Sequence, residues 1–474
     1  MISILRTSIA SLAFLVGLAG CASLTGTFGA RSHFKQAFEQ GPDSLKKLCG
    51  TKVPSACALL GSQSEPTTHR LSIAQGVSDA TSVRLTVVAP KREALLYFVG
   101  PKGGDKFVRV EAVRVQRSDH AMAVDQLSVK NLDLKGSFEL LVSSYSGELW
   151  DRRTFKALDL NKKYARVALL SCMDDRLKKV ADVMWPQVMA QKPDAMLLIG
   201  DNVYADSPLV DTPAKDLWKR YVETRQELKL YYADALIPLV ATWDDHDYGR
   251  NDGDSNYAFK NESAEVFFAF FPQKLGSTEL VRGPGVSSWW NAFHVNFALL
   301  DDRSFRTPNK QDQPGATHFG PEQEQWLQKQ MSESTKPVLL VSGDQFFGGY
   351  HPFESYEGSH PLSFKERMVE WKKSPVPLLF LSGDRHLTEI MNIEAEVLGY
   401  PTYEITSSGV HAKVFADALT RNPNPRRLVG AAGKYNYSIL EIMRASRHLL
   451  ELSVAAFGDQ QNVLYQKTLK VKHP

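Results

Sequence analysis

The sequence predicts an α/β protein whose main region is preceded by a small all-β unit. Short runs with period-two alternation occupy residues from about 69 to 160. From Tyr164 onward the pattern changes to buried apolar runs separated by helix-like segments. Composition agrees with a globular protein of two or three domains: 474 residues, 43% hydrophobic and 23% charged, which excludes a disordered, collagenous or multi-spanning chain. With 56 Lys and Arg against 53 Asp and Glu, and no basic block, the charge advertises no nucleic-acid surface.

The elements follow in order. Residues 1–20 carry Arg6, an apolar stretch centred on Leu12 to Leu18, then Ala19 and Gly20 before Cys21. That order resembles a bacterial lipoprotein signal, with Cys21 as the lipidated residue and a membrane as partner through the lipid. An uncleaved anchor is the alternative, although Ser23, Thr25 and Thr27 leave the segment short of the roughly 20 apolar residues a span needs. Ala22 after the cysteine favours the outer membrane facing the periplasm. An exported chain meets an oxidising compartment, so Cys49 and Cys57, close together in the linker 21–68, are a candidate disulfide. Cys172 is then left without a partner, to be explained by burial or by a metal.

In 69–160, Val83, Leu85, Val87 and Phe138, Leu140, Val142 alternate, with Gly, Pro, Asp and Ser between the runs, and a β-sandwich is expected. In 161–474 the runs Val167 to Leu170, Met196 to Ile199, Leu239 to Thr242, Val338 to Val341 and Leu378 to Leu381 read as buried strands. Helices are expected over Leu177 to Met189, Ala214 to Leu230 and from Pro321, a proline suited to a first turn. Tyr435 to Val471 returns to alternation and reads as late strands of the same domain.

Each buried run ends in a polar loop: Ser171-Cys172; Gly200-Asp201-Asn202-Val203-Tyr204-Ala205-Asp206; Trp243-Asp244-Asp245-His246-Asp247; Ser342-Gly343-Asp344; and Ser382-Gly383-Asp384-Arg385-His386. Singly, a Gly-Asp pair is an ordinary turn and Tyr204 ordinary packing. Together, loops at the carboxyl ends of strands converge on one edge, where repelling carboxylates and a histidine are costly unless cations neutralise them. Cys172, Asp201, Tyr204 and His386 form a set suited to an oxidised transition metal such as ferric iron. Asp245 and Asp384, with Asp201 shared, form an oxygen-rich set suited to calcium, magnesium or manganese. His246, beside Asp245, can donate a proton to a leaving oxygen. Arg385 and Arg250 match phosphate bidentately, with a surface ion pair the equal alternative for Arg250.

These motifs resemble the alkaline phosphatase D (PhoD-like) family of calcineurin-like metallophosphoesterases over roughly residues 165 to 390. The resemblance implies a two-sheet core flanked by helices, a β-sandwich before it, and an iron and calcium pair, with magnesium, manganese or zinc as substitutes. It also implies hydrolysis of phosphate esters. Two departures stand out: Asp344, Gln345, Phe346 and Phe347 where many such enzymes place a histidine, with His351 further on, and the acidic Asp174 and Asp175 after Cys172. The competing readings are a phosphodiesterase or phospholipase-D-like enzyme acting on lipid or wall-polymer headgroups, and a silent surface-binding lipoprotein.

Overall fold

The computed structural model describes residues 70–474 apart from 105, 146, 207–210, 274–278 and 310–312. Cys21, Cys49 and Cys57, with the signal and linker expectations, lie outside the described residues. The described part is a mixed α/β structure of four sheets.

The first eight strands are β1 (Ser72–Ser78), β2 (Val83–Pro90), β3 (Leu95–Pro101), β4 (Val108–Val110), β5 (Ala112–Gln116), β6 (Met122–Val129), β7 (Phe138–Ser144) and β8 (Leu149–Phe155). They pair in the orders β1-β2-β6-β5 and β4-β3-β7-β8. Val83, Leu85 and Val87 share one apolar cluster with Tyr97, Val99, Leu140 and Val142, so the two sheets cover each other. Alternate positions of the first sheet, Ala74, Val88 and Val124, belong to a second cluster with Trp218, Phe268 and Phe270. Strand β1 and most of β2 are therefore buried on both faces, while the edge strand β5 is open to solvent. Arg225 crosses this junction, donating to the Ser72 and Thr86 carbonyls, to the Thr86 hydroxyl and to the Phe270 carbonyl. Burial pulls its guanidinium down to about 10.

The rest of the chain supplies β9 (Ala165–Leu170), β10 (Ala195–Ile199), β11 (Leu239–Thr242), β12 (Leu280–Arg282), β13 (Ser288–Ala292), β14 (Val295–Leu299), β15 (Val338–Ser342), β16 (Leu378–Ser382), β17 (Thr388–Ile393), β18 (Thr402–Ser407), β19 (Arg427–Ala431), β20 (Asn436–Ser446), β21 (Leu449–Gly458) and β22 (Val463–Lys472). They form a six-stranded sheet, β11-β10-β9-β20-β21-β22, and an eight-stranded one, β12-β13-β14-β15-β16-β18-β17-β19. The five apolar runs read from sequence are thus divided between two sheets, three in one and two in the other. β9, β10 and β11 run parallel, as do β14, β15, β16 and β18. The late strands β20 to β22 extend the six-stranded sheet in antiparallel pairing.

Period two sorts each central strand between two cores. Val167, Leu169, Leu197 and Ile199 face the eight-stranded sheet, in one cluster with Leu339, Val341 and Leu379. Ala168, Leu170, Met196 and Leu198 face the helices, in the cluster that holds Trp185, Trp218 and Phe267. Those helices span Lys178–Ala190, Ala214–Glu227 and Lys260–Phe270. On the far side of the eight-stranded sheet lie helices Pro321–Glu333 and Pro361–Trp371, both with proline in the first turn. Strands covered on both faces read as continuous apolar runs, which is why they stand out in the sequence.

Candidate metal centre

Polar loops at the strand ends come together, and close approach demands glycine. A Cβ at Gly200, where φ is +81°, would stand 2.6 Å from the Asp244 Cβ. One at Gly383 would stand 2.6 Å from the Ile199 carbonyl oxygen, which locks the loop after β16 in the eight-stranded sheet against the end of β10 in the other. The residues beside them are held in the left-handed region as well: Cys172 (φ 59°), Asp201 (53°), Asp384 (59°) and His386 (51°). Non-glycine residues there cost on the order of 1–3 kcal/mol each, and such strain collects at functional sites.

Ligand atoms of Cys172, Asp201 and His386 lie within 4.8 Å of one another. The Cys172 thiol donates to Asp201 Oδ2 at 3.3 Å and lies 3.1 Å from the Ser408 hydroxyl. The Tyr204 hydroxyl lies 3.3 Å from His386 Nε2. Asp201 Oδ1 is buried and has no hydrogen-bond partner. Burial pushes the Cys172 thiol up, and burial with the Cys172 and Asp201 charges pushes the Tyr204 phenol well up. Burial likewise raises the Asp201 and Asp384 carboxyls and lowers His386. A buried group of three acidic side chains around one imidazole, with an orphaned carboxylate oxygen, fits a cation, which alone makes their ionised forms stable there.

A second group shares Asp201 with Asp245 and His246, again within 4.8 Å. His246 Nδ1 lies 2.7 Å from Asp206 Oδ1, and its ring stacks on Tyr204 with centroids 4.1 Å apart. Burial opposes protonation of His246, yet Asp245, Asp201 and Asp206 outweigh it and hold the imidazole well above its usual range. Asp245 also belongs to a third group with Asp252 and Glu354. Asp384 is in none of these three groups; its Oδ2 lies 3.4 Å from Arg385 Nη1.

The acidic turn after β11 divides its labour. Asp244 pairs with the buried Arg303, whose Nε donates at 2.7 Å, and Arg303 also pairs with Glu354. Asp247 accepts from the Val203 and Asp244 amides, capping the short helix Asp245–Tyr248. Asp245 and His246 are left for the centre. Arg250 is spent on Asp211 at 2.7 Å, half-exposed at the surface, which is the ion-pair alternative. Arg385 has a buried Nε without a partner. Asp344 faces Arg306 and His318, while Gln345 donates to Glu389 and Thr406 and lies against His351, so the loop after β15 builds the wall behind the centre.

Sequence reasoning missed Asp206 as the partner of His246, Ser408 beside Cys172, and Asp252, Glu354 and Arg303. For Ser408 and Arg303 the signal was present: Val295 to Leu300 leads into Asp301-Asp302-Arg303, and Thr402 to Ser407 leads into Ser408-Gly409, the same strand-then-polar pattern used for the other loops.

The family model described as PhoD-like phosphatase matches residues 168–441. A curated relative, Alkaline phosphatase D of Bacillus subtilis (strain 168), is 26% identical over 234 residues, 42% of this chain and 39% of that protein, so the match spans well under half of the relative's length. A solved structure of Astrotactin-2, a perforin-like membrane protein, covers 26% of each chain at 13% identity, and its TM-score of 0.17 carries no argument. Matched over more than half its length by that family model, and with Cys172, Asp201, Tyr204, Asp245, His246 and His386 gathered at one place, the chain belongs to the PhoD-like phosphatase family.

Proposed function

We propose that the protein is a metal-dependent phosphoric ester hydrolase whose centre lies where the loops after β9, β10, β11, β16 and β18 meet. The observation that carries this reading is the group of buried Cys172 and Asp201 with half-buried His386, and the Tyr204 hydroxyl beside it. These four residues would hold ferric iron, and Asp201, Asp245 and Asp384 a hard divalent ion such as calcium, with Asp252 and Glu354 on the far side of Asp245. Such a pair, when bound, supplies positive charge for the phosphate oxygens and lowers the pKa of water.

The chain's own side chains do the rest. Arg385, with its unpartnered Nε and weak contact to Asp384, offers a guanidinium to a phosphate oxygen. Asp206 engages His246 Nδ1, leaving Nε2 as the nitrogen that gives its proton to the leaving oxygen. Tyr204, stacked on the His246 ring, fixes its plane. The intact set argues against a silent binding lipoprotein. The first eight strands act as an amino-terminal sandwich in this reading, and the two larger sheets as the catalytic core. A lipid on Cys21 would anchor the enzyme to the outer membrane, and no described helix is long and apolar enough to cross one.

Hydrolysis of a phosphomonoester, a phosphodiester and a phospholipid should be compared on metal-loaded and metal-stripped protein. Turnover that disappears on stripping and returns with iron and calcium supports the reading. No turnover of any of the three by loaded protein refutes it.

A further inference from the structure

Among the described residues the phenylalanines with more than a third of their surface exposed are Phe353 (48%) and Phe415 (38%), and both stand at the candidate centre. Phe353 lies in the loop after β15 and Phe415 in the loop after β18. Each packs on one of two consecutive residues of the loop after β16. The Arg385 guanidinium sits 4.5 Å from the Phe353 centroid, and the Phe415 ring is nearly parallel to the His386 ring, at 9° and 6.1 Å. Lys413 Nζ lies 5.3 Å from the Phe415 centroid, and Arg176 lies over Tyr204 at 5.5 Å.

A single exposed apolar side chain needs no explanation. Two exposed rings bracketing one polar loop are a different matter, since each leaves apolar surface in water beside groups that attract anions. A flexible acyl chain calls for a continuous apolar groove, whereas separate flat faces edged by cations suit a planar π system with polar edges.

Resting on the phosphoesterase reading, we propose that Phe353 and Phe415 form the leaving-group subsite, which selects phosphate esters of alcohols that carry a flat aromatic face, an aryl alcohol or a nucleoside, over esters that lack one. Arg385 and Lys413 would hold the phosphate and the polar edge while the rings take the face.

Matched pairs isolate the ring from leaving-group acidity: benzyl against ethyl phosphate, and adenosine monophosphate against ribose monophosphate. Binding of benzylphosphonate against methylphosphonate, by calorimetry, gives a readout that needs no turnover. Wild-type protein should favour the larger member by on the order of 3- to 10-fold in kcat/KM and in Kd. Phe353→Ala and Phe415→Ala should each bring these ratios toward unity, and Phe353→Leu and Phe415→Leu, which keep apolar bulk without a flat face, should do the same. The pair with the larger ratio tells an aryl from a nucleoside source. Hydrolysis without ring preference, or a preference that survives all four substitutions, overturns the subsite alone. Failure of metal-loaded wild type to hydrolyse any of these esters overturns the phosphoesterase reading instead.

Discussion

His246 has two ring nitrogens, and Asp206 engages Nδ1 at 2.7 Å. A positioned acid contributes about 100- to 10,000-fold, so His246→Ala should lower turnover on an ester with a poor leaving group by that order while metal content is kept. The loss should shrink for a leaving group acidic enough to depart without a proton. Near wild-type turnover on the poor leaving group would remove the role. Asp206→Asn should cost less and should shift the pH profile, because it changes the orientation and charge of His246 without deleting it. Most of this was legible one residue at a time: Cys172, Asp201, Asp245, His246 and His386 stand directly after apolar runs, and a strand's end fixes where the next side chains go. The left-handed backbone at Cys172, Asp201, Asp384 and His386 was not legible, since none of them is glycine and only the tertiary surroundings hold that conformation. Nor was Glu354, which follows no strand directly, pairs with Arg303 and brings a carboxylate oxygen within 4.8 Å of Asp245.

At the scale of elements, the centre depends on two sheets meeting at their strand ends, as at Gly383 against Ile199, and on close packing of loops within one sheet, as at Gly200 against Asp244. Gly200→Ala adds both left-handed strain and a Cβ clash with Asp244, together about 2–4 kcal/mol. Gly315→Ala adds only the strain, because nothing lies within 4 Å of its would-be Cβ, and should cost about 1 kcal/mol. Thermal melts of the two variants check this, and equal melting points would contradict it. The apolar runs at β9, β10, β11, β15 and β16 were readable because both faces of each strand are covered. β14 and β18 share that burial but went unread, since Asn296 and Glu404 interrupt their apolar character; Asn296 is satisfied by Ser334 and Glu404 by the Phe346 and Phe347 amides. The division of the strands into two sheets has no local signature and follows from long-range pairing.

Across the whole molecule, buried histidines contribute an acid-sensitive part of the stability, opposed by buried carboxyls such as Glu404 and Asp247, which burial raises to about 7. His351 is held down at about 3 and His360 at about 4, both mainly by burial, and His318 well below its usual range for the same reason. Such groups stay neutral in the folded protein while the unfolded chain takes up protons below about 6.5. Their contribution is therefore intact above that pH and is lost as pH falls toward 4 and then 3, by about 2 kcal/mol for each of His351 and His360 at pH 5. Denaturant titrations at pH 7.5 and 5 should show the His360→Gln variant losing less stability on acidification than wild type, by about 2 kcal/mol; an equal change in the two proteins would refute the assignment. The metal reading belongs to this scale too, since the donors come from loops of both large sheets and their mutual repulsion is tolerable only with cations between them. Elemental analysis of purified, active protein alongside its visible spectrum tests that claim most directly. The account predicts stoichiometric iron and calcium, with a charge-transfer band that Tyr204→Phe and Cys172→Ser shift or abolish. Colourless protein that hydrolyses phosphate esters at full rate with no bound metal would contradict it.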